Sequence, residues 1–441
     1  MRVLYVLHQF YPKYVSGTEQ YVLSLATAGR AAGDDVRVFA LDPDFRDQDP
    51  PRELRVYDYR GVPTTMYRFD KSAIRNYVLT DYDNPEVGQP FRELLDAFQP
   101  EVVHFFHFRW NGLDRIDDVE ARGIPFCVHL MDFWFVCPNF LLLRPDGQMC
   151  DGPPDSGLGC FECVYQETGA ELDAAGGMDA VRARFRAGER ACHSDAAADA
   201  GLALMQRLPA AIDGLARADC VFCPSETVRR IVLSNGHRPR RLEVTPYGID
   251  FGLLEHLPAL PAEPVTLGFV GTLAPHKGAD LLIQAFVELA DARLRLRVHG
   301  RFGDYPDFDD KLRELSKRDP RIELAGGFAR ADLANVLGGL HAVIVPSRWR
   351  ENTPFVCLEA RAAGLPVLTS DLAGMTEAVP IERGGTFRTG DVADLAQKLE
   401  ALIATIRARG GARLAPDRSI PAIHTQYAAF RRAYTTLGGR N

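Results

Sequence analysis

The stretch from His341 to Ser370 leaves a chain like this few folds to choose from. A run from His341 to Val345, apolar after its first residue, ends in Pro346-Ser347 and reads as a buried parallel strand feeding a loop. The loop carries Arg348, Arg350, Glu351 and Asn352, and Thr353-Pro354 has the chemistry of an N-cap and first helical position. A helix to about Ala363 follows, Gly364 ends it, and Pro366 to Thr369 is the next strand. Strand, loop, helix and strand in that order predict an open α/β sheet, whose ligands sit at the carboxyl ends of its strands.

Glu351 and Glu359 are spaced E-x7-E, one just before this helix and one about one and a half turns into it. The helix N-terminus between them offers amide N–H groups and a positive dipole end to a phosphate. An anion subsite flanked by two hydroxyl acceptors suits a sugar on one side and a ribose on the other. Two glutamates on a solvated helix is the plainer reading of the same spacing.

A second loop of this kind follows the predicted strand Val265 to Val270. It runs Gly271-Thr272-Leu273-Ala274-Pro275-His276-Lys277-Gly278 and opens a helix at Ala279. Its glycines permit close backbone approach to a phosphate, and Lys277 supplies a point charge. At the N-terminus, Arg2 to Leu7 is a strand, and Gly17-Thr18-Glu19 opens an amphipathic helix with Tyr21, Val22, Leu25 and Ala28 on one face. This start lacks G-x-G-x-x-G, so no dinucleotide is indicated. Further strands are predicted at Val102 to Phe108 and Gly123 to Met131, the second leading into Asp132-Phe133-Trp134.

Cys137, Cys150, Cys160 and Cys163 crowd one Gly-, Pro- and Asp-containing stretch, the last two as C-x-x-C. Four thiolates suit a tetrahedral structural zinc, which would order a loop with little apolar periodicity. Loose thiols or a transient disulfide are the other readings. Cys220 and Cys223 are also C-x-x-C, but in an apolar strand, where residues three apart face opposite ways; they read as core.

The 441 residues are too many for one core and suit two or three domains, with Leu257 to Pro264 a proline-rich linker. A net charge of −8 argues against a nucleic-acid binder. No apolar run approaches the roughly 20 residues a membrane span needs. Cysteines that are otherwise scattered favour a reducing compartment, so a cytoplasmic protein is expected.

W-x-E-N-x-P at Trp349–Pro354, followed by L-E-A-x-A-A-G-x-P-V at Leu358–Val367, resembles the donor-site signature of family 4 retaining glycosyltransferases with the GT-B fold. The resemblance reappears at Gly268–Gly278, Arg2–Phe39 and Pro100–Pro138, and in Asp371, Gly374 and Glu377. It implies two Rossmann-like doubly wound domains facing across a cleft. The first would span 1–247 with a Cys-rich insertion at about 137–165, completed by a C-terminal helix at about 420–441; the second, nucleotide-sugar-binding, would span 248–419. The implied activity is metal-independent transfer, with retention, from a nucleoside-diphosphate sugar to a glycan, a lipid-linked or a small-molecule acceptor, with no catalytic metal and with peripheral contact to the inner membrane surface. Glu351 and Lys277 would be catalytic. Gly271, Thr272, Asn352, Thr353, Pro354, Phe355 and Glu359 would bind the donor, and Gly17, Thr18, Glu19, His107, His129 and Asp132 would face the acceptor. Two departures stand out: Met131 replaces the histidine usual before Asp132, and Thr272 replaces the usual second diphosphate cation. His129 points the same way as Met131 but about 6–7 Å lower along the strand. These departures motivate the rival reading, a sugar-nucleotide-binding partner subunit without transfer activity.

Overall fold

A computed structural model describes residues 1–42, 52–165 and 176–438. The chain forms two compact units, residues 1–246 with the C-terminal stretch from Ile423, and Tyr247–Ala422. Each is a parallel sheet covered by helices, so the expected α/β class with two Rossmann-like units is observed.

In the first unit the strands are β1 (Arg2–Leu7), β2 (Asp35–Leu41), β3 (Glu53–Tyr59), β4 (Val62–Arg68), β5 (Val102–Phe105), β6 (Phe126–His129), β7 (Cys220–Cys223) and β8 (Leu242–Val244). Among the described residues they lie in the order β3-β4-β2-β1-β5-β6-β7-β8. Only β3 pairs antiparallel, with β4, across a turn in which Arg60 and Gly61 both have positive φ (53° and 79°), as a two-residue hairpin requires. β5 and β6 end earlier than the apolar runs that encode them: Phe106 to Phe108 and Leu130 to Met131 continue as buried loop.

The C-terminal helix, from Ile423, belongs to this unit. Tyr427 Oη donates to Asp34 Oδ2 at 2.7 Å and Arg431 Nε to the same oxygen at 2.6 Å. A Cβ on Gly29 would stand 2.7 Å from the Tyr427 ring, so helix Gly17–Ala31 can meet this helix closely only without a side chain there. The Ala-rich stretch 170–217 contributes helices Gly177–Arg186 and Ala197–Arg217; its residues before 176 lie outside the described ones, as do 439–441.

The second unit has β9 (Val265–Val270), β10 (Leu294–His299), β11 (Ile322–Gly326), β12 (Ala342–Val345), β13 (Val367–Ser370) and β14 (Gly384–Phe387), all parallel, in the order β11-β10-β9-β12-β13-β14. Val265, Leu267 and Phe269 of β9 and Ile344 of β12 pack under helices Ala279–Val287 and Val392–Ala408 through Leu282, Ile283, Phe286, Leu395 and Leu399. In both units the strand order reverses beside the first strand. That reversal opens a crevice at the carboxyl ends of the two strands flanking it, β1 and β5 in one unit and β9 and β12 in the other.

Candidate active site

In the second unit the loops leaving β9 and β12 meet at the reversal. Gly278, at φ 73°, follows the 3-10 turn Pro275–Lys277, and a Cβ there would lie 2.0 Å from the Pro346 carbonyl oxygen. The Arg348 amide donates to the His276 carbonyl at 2.7 Å. This contact delivers Lys277 to Glu351, with Nζ 2.7 Å from Oε1. The same oxygen accepts from Ser347 Oγ and from Trp349 Nε1, each at 2.8 Å. Lys277 Nζ also lies 4.9 Å from the Trp349 ring centroid. Ser347 is itself fixed by Ser370 Oγ donating to its carbonyl at 2.7 Å. Glu351 is only 3% exposed, and one of its oxygens is held by one cation and two neutral donors.

Helix Phe355–Ala362 starts one residue later than the sequence predicts, with Pro354 in extended geometry as its N-cap. Asn352 shapes the entry: its Oδ1 takes the Thr353 amide at 2.6 Å, and its Nδ2 donates to Tyr247 Oη at 3.1 Å. Tyr247 stacks on Phe355 with ring centroids 4.5 Å apart. Glu359, expected to receive hydroxyls, is 5% exposed and its Oε1 accepts from Arg330 Nη2. Arg330 carries no signal in the sequence motifs and is found only by the fold. Gly271 and Thr272 are exposed at the end of β9. Arg348, an obvious candidate to replace the cation absent at Thr272, is taken by Asp280 through Nη1–Oδ1 (2.6 Å) and Nη2–Oδ2 (3.0 Å).

In the first unit the loops after β1, β5 and β6 bring His8, His107 and Asp132 together. The Arg109 amide donates to His107 Nδ1 at 3.0 Å, which leaves Nε2–H to face Asp132 Oδ2 at 3.0 Å. His8 lies against His107 with ring centroids 4.1 Å apart, and burial, with His107 and Arg109 nearby, pushes its basicity well below the usual histidine range. His8 Nε2 is 4.0 Å from Glu19 Oε1. Glu19 Oε2 caps its own helix, accepting the Ser16 amide at 2.7 Å; Gly17 and Thr18 form the half-buried first turn beside it. His8 Nδ1 and Glu19 Oε1 are buried without a hydrogen-bond partner among the described residues.

His129 is placed elsewhere. It is 1% exposed, at the end of β6, edge-on to Tyr21 and Phe430 and stacked near Phe106 and His104. Burial pushes it down to about 3, so it is a neutral core ring. Met131 is buried, at 6% exposure. The four clustered cysteines line one cavity of about 870 Å³, in the same segment after β6 that begins with Asp132.

Comparison with known proteins places this geometry. Residues 16–248 match the glycosyl transferase 4-like domain, and residues 264–405 match the glycosyl transferases group 1 model. The chain belongs to the family 4 glycosyltransferases. D-inositol 3-phosphate glycosyltransferase of Kineococcus radiotolerans is 31% identical over 195 residues, covering 40% of this chain and 44% of that protein. The Stackebrandtia nassauensis protein of the same name is 34% identical over 185 residues, 37% and 41% of the two chains. The matched stretch thus spans less than half the length of these curated relatives. Among solved structures, sucrose-phosphate synthase from Thermosynechococcus elongatus superposes with TM-score 0.68 at 16% identity over 100% of both chains. Anabaena HepE, in complex with UDP and glucose, superposes with TM-score 0.61 at 15% identity, covering 99% of this chain and 100% of that one. These neighbours share the GT-B fold, as the family 4 resemblance implies. Among the described residues of this family 4 member, no helix is long and apolar enough to cross a membrane.

Proposed function

We propose that this protein transfers a sugar, with retention of anomeric configuration and without a catalytic metal, from a nucleoside-diphosphate sugar to a hydroxyl of a glycan, lipid-linked or small-molecule acceptor. The observation that carries this reading is the Glu351 carboxylate, buried at the strand-order reversal and gripped through one oxygen by Lys277, Ser347 and Trp349. A carboxylate fixed this way can face developing positive charge at an anomeric carbon without reorganising. Lys277, on the turn after β9 and paired to that carboxylate, would share its charge with the departing diphosphate. The start of helix Phe355–Ala362 adds amides and a dipole end for the same phosphates. Glu359, steadied by Arg330, would accept ribose hydroxyls.

In the transfer, the bond from the anomeric carbon to the phosphate oxygen breaks. The acceptor oxygen bonds to that carbon on the same face, and its proton passes to the leaving phosphate oxygen. In the first unit, His8, whose side chain is 15% exposed, would hydrogen-bond the acceptor hydroxyl, the part the histidine absent at Met131 would otherwise play. The cytoplasm, with peripheral contact to the inner membrane surface, is the proposed location. Because HepE was solved with UDP and glucose, uridine donors come first in the test.

The purified chain should be offered UDP-, GDP- and ADP-sugars with a set of glycoside, polyol and lipid-linked acceptors, with and without chelator. An α-linked product from an α-linked donor, unaffected by chelator, is expected by NMR. Inversion, or loss of transfer on chelation, would overturn the retaining or metal-free part. Tight nucleotide-sugar binding with no transfer to any acceptor would favour the partner-subunit reading instead.

A further inference from the structure

The Cys-rich insertion of the first unit is not used by any of this chemistry, and it is built in two halves. In the first half, Cys137 opens a loop in which Phe140 and Leu142 have positive φ (51° and 50°), a conformation rare for such side chains. The backbone amides of Leu142 and Asn139 are turned onto the Cys137 sulfur. Leu142 then passes its carbonyl to the Cys150 amide at 2.9 Å, beside a Leu143–Met149 bridge. One residue, Leu142, therefore touches both cysteines through its two flanking peptide units. In the second half, Cys160 ends a 3-10 turn and Cys163 lies in the helical turn Phe161–Val164. Residues three apart on a helical turn share a face. The halves are joined by Asn139 Nδ2, which donates to the Cys163 carbonyl.

We propose that Cys137, Cys150, Cys160 and Cys163 bind one zinc ion as four thiolates, clipping the insertion shut. Each of the four lines the same cavity, and each lies within electrostatic reach of the other three. Burial pushes the Cys137, Cys160 and Cys163 thiols up, so the metal itself must displace their protons. Four thiolates around a divalent ion leave a net charge of about −2, and cations are at hand: Arg207 reaches Cys137 and Cys160, and Arg144 reaches Cys163. Among the described residues no three His, Cys, Asp or Glu side chains stand at metal-holding positions, so the thiols must turn inward about χ1 to close the cage. Cys150 Sγ, for one, points at the Gly152 carbonyl, 3.0 Å away. The contrast with Cys220 and Cys223 is instructive: in β7 the same C-x-x-C spacing leaves both thiols fully buried in a sheet.

The test is metal analysis of the full chain, expressed in zinc-supplemented medium and purified without chelator. About one zinc per chain is expected, released by a mercurial thiol reagent. The Cys160→Ser/Cys163→Ser double variant should lose at least about tenfold in zinc content, whereas Cys192→Ser, at an exposed thiol, should keep it. Should the double variant fail to fold, cobalt substitution of the wild-type chain decides, because a four-thiolate tetrahedral site has a diagnostic ligand-field spectrum. A chain that holds no zinc and takes none from buffered zinc would overturn the proposal. So would an iron–sulfur absorbance, or a mass showing these cysteines oxidised to disulfides.

Discussion

Replacing Lys277 by methionine separates the structural and chemical work of one side chain. Methionine preserves much of the apolar stem over Trp349 and removes only the cation. Glu351 then keeps two neutral donors, Ser347 and Trp349, on an oxygen that had three. A hydrogen bond to a charged group is worth about 1.5–3 kcal/mol, but the Lys277 side chain is 25% exposed, so water screens and replaces part of it. A stability loss of about 1 kcal/mol follows, or about 2–4 °C in Tm for a unit of this size. Transfer should suffer far more. If Lys277 meets charge that grows only as the diphosphate departs, its loss resembles removal of one oxyanion donor, about 10²–10³ in kcat. The affinity for free nucleoside diphosphate should change by about tenfold at most, since the ground-state ligand can still use the helix start. The assay is steady-state transfer with whichever donor the wild type uses, alongside thermal melts and calorimetric binding. A variant that melts a few degrees lower yet keeps kcat within about threefold of wild type would refute the reasoning, and would make Lys277 a support for Glu351 alone.

Glu359→Ala should weaken nucleoside-diphosphate binding by about 1.5–3 kcal/mol, or about 10- to 100-fold in calorimetric Kd, with Arg330→Ala reproducing a smaller part; unchanged affinity in both would remove the ribose role. Asp42 is held down to about 2, against its burial, by Tyr14, Arg68 and Lys13. Its contribution, about 2 kcal/mol, is therefore present above the unfolded carboxylate's value near pH 4 and lost as pH falls through about 2. Asp42→Asn should cost that amount at pH 7 and converge with wild type in acid melts. His8→Ala should lower kcat with donor KM unchanged, while Met131→His should raise transfer only if the buried methionine site still opens to the acceptor; equal kinetics for His8→Ala and wild type would dismiss His8 as a packing residue.

Much of the second unit could be read before its structure, because its strands announce themselves. β9 and β12 are continuous apolar runs cut by Gly271 and by Pro346-Ser347, and both are followed by helix starts. Parallel strands buried on both faces leave that signature, and a connection through a helix leaves few orders to choose from. The hairpin of β3 and β4 was illegible for the opposite reason. β3 lies at a sheet edge, with Val56 73% exposed, and its turn uses Arg60-Gly61 in place of the usual asparagine–glycine pair. The loops after β9 and β12 were legible as motifs, but not their wiring. That Lys277 answers Glu351 depends on Gly278 lying against Pro346, a contact between residues 68 apart in sequence. Nor does E-x7-E disclose that Arg330, on another turn, anchors Glu359.

The imidazoles of the first unit show where reading along a strand fails. His129 shares a strand face with position 131, and by alternation alone it is the natural heir to the missing histidine. Alternation says which way a side chain points, not how deep it lies. Ring packing from Tyr21, Phe106 and Phe430 closes over His129, so burial strips it of charge. His8 had no such signal, being one polar residue after an apolar strand. It gains significance only from the strand order, which sets the ends of β1 and β5 side by side and so brings His8 to His107. His107 is committed at both nitrogens, to the Arg109 amide and to Asp132. His8 has an unpartnered nitrogen in a buried setting that keeps its ring neutral. A neutral ring can both donate to and accept from a hydroxyl, which a charged one cannot. By strand order and hydrogen bonding, His8, not the better-aligned His129, is the residue whose loss transfer should feel.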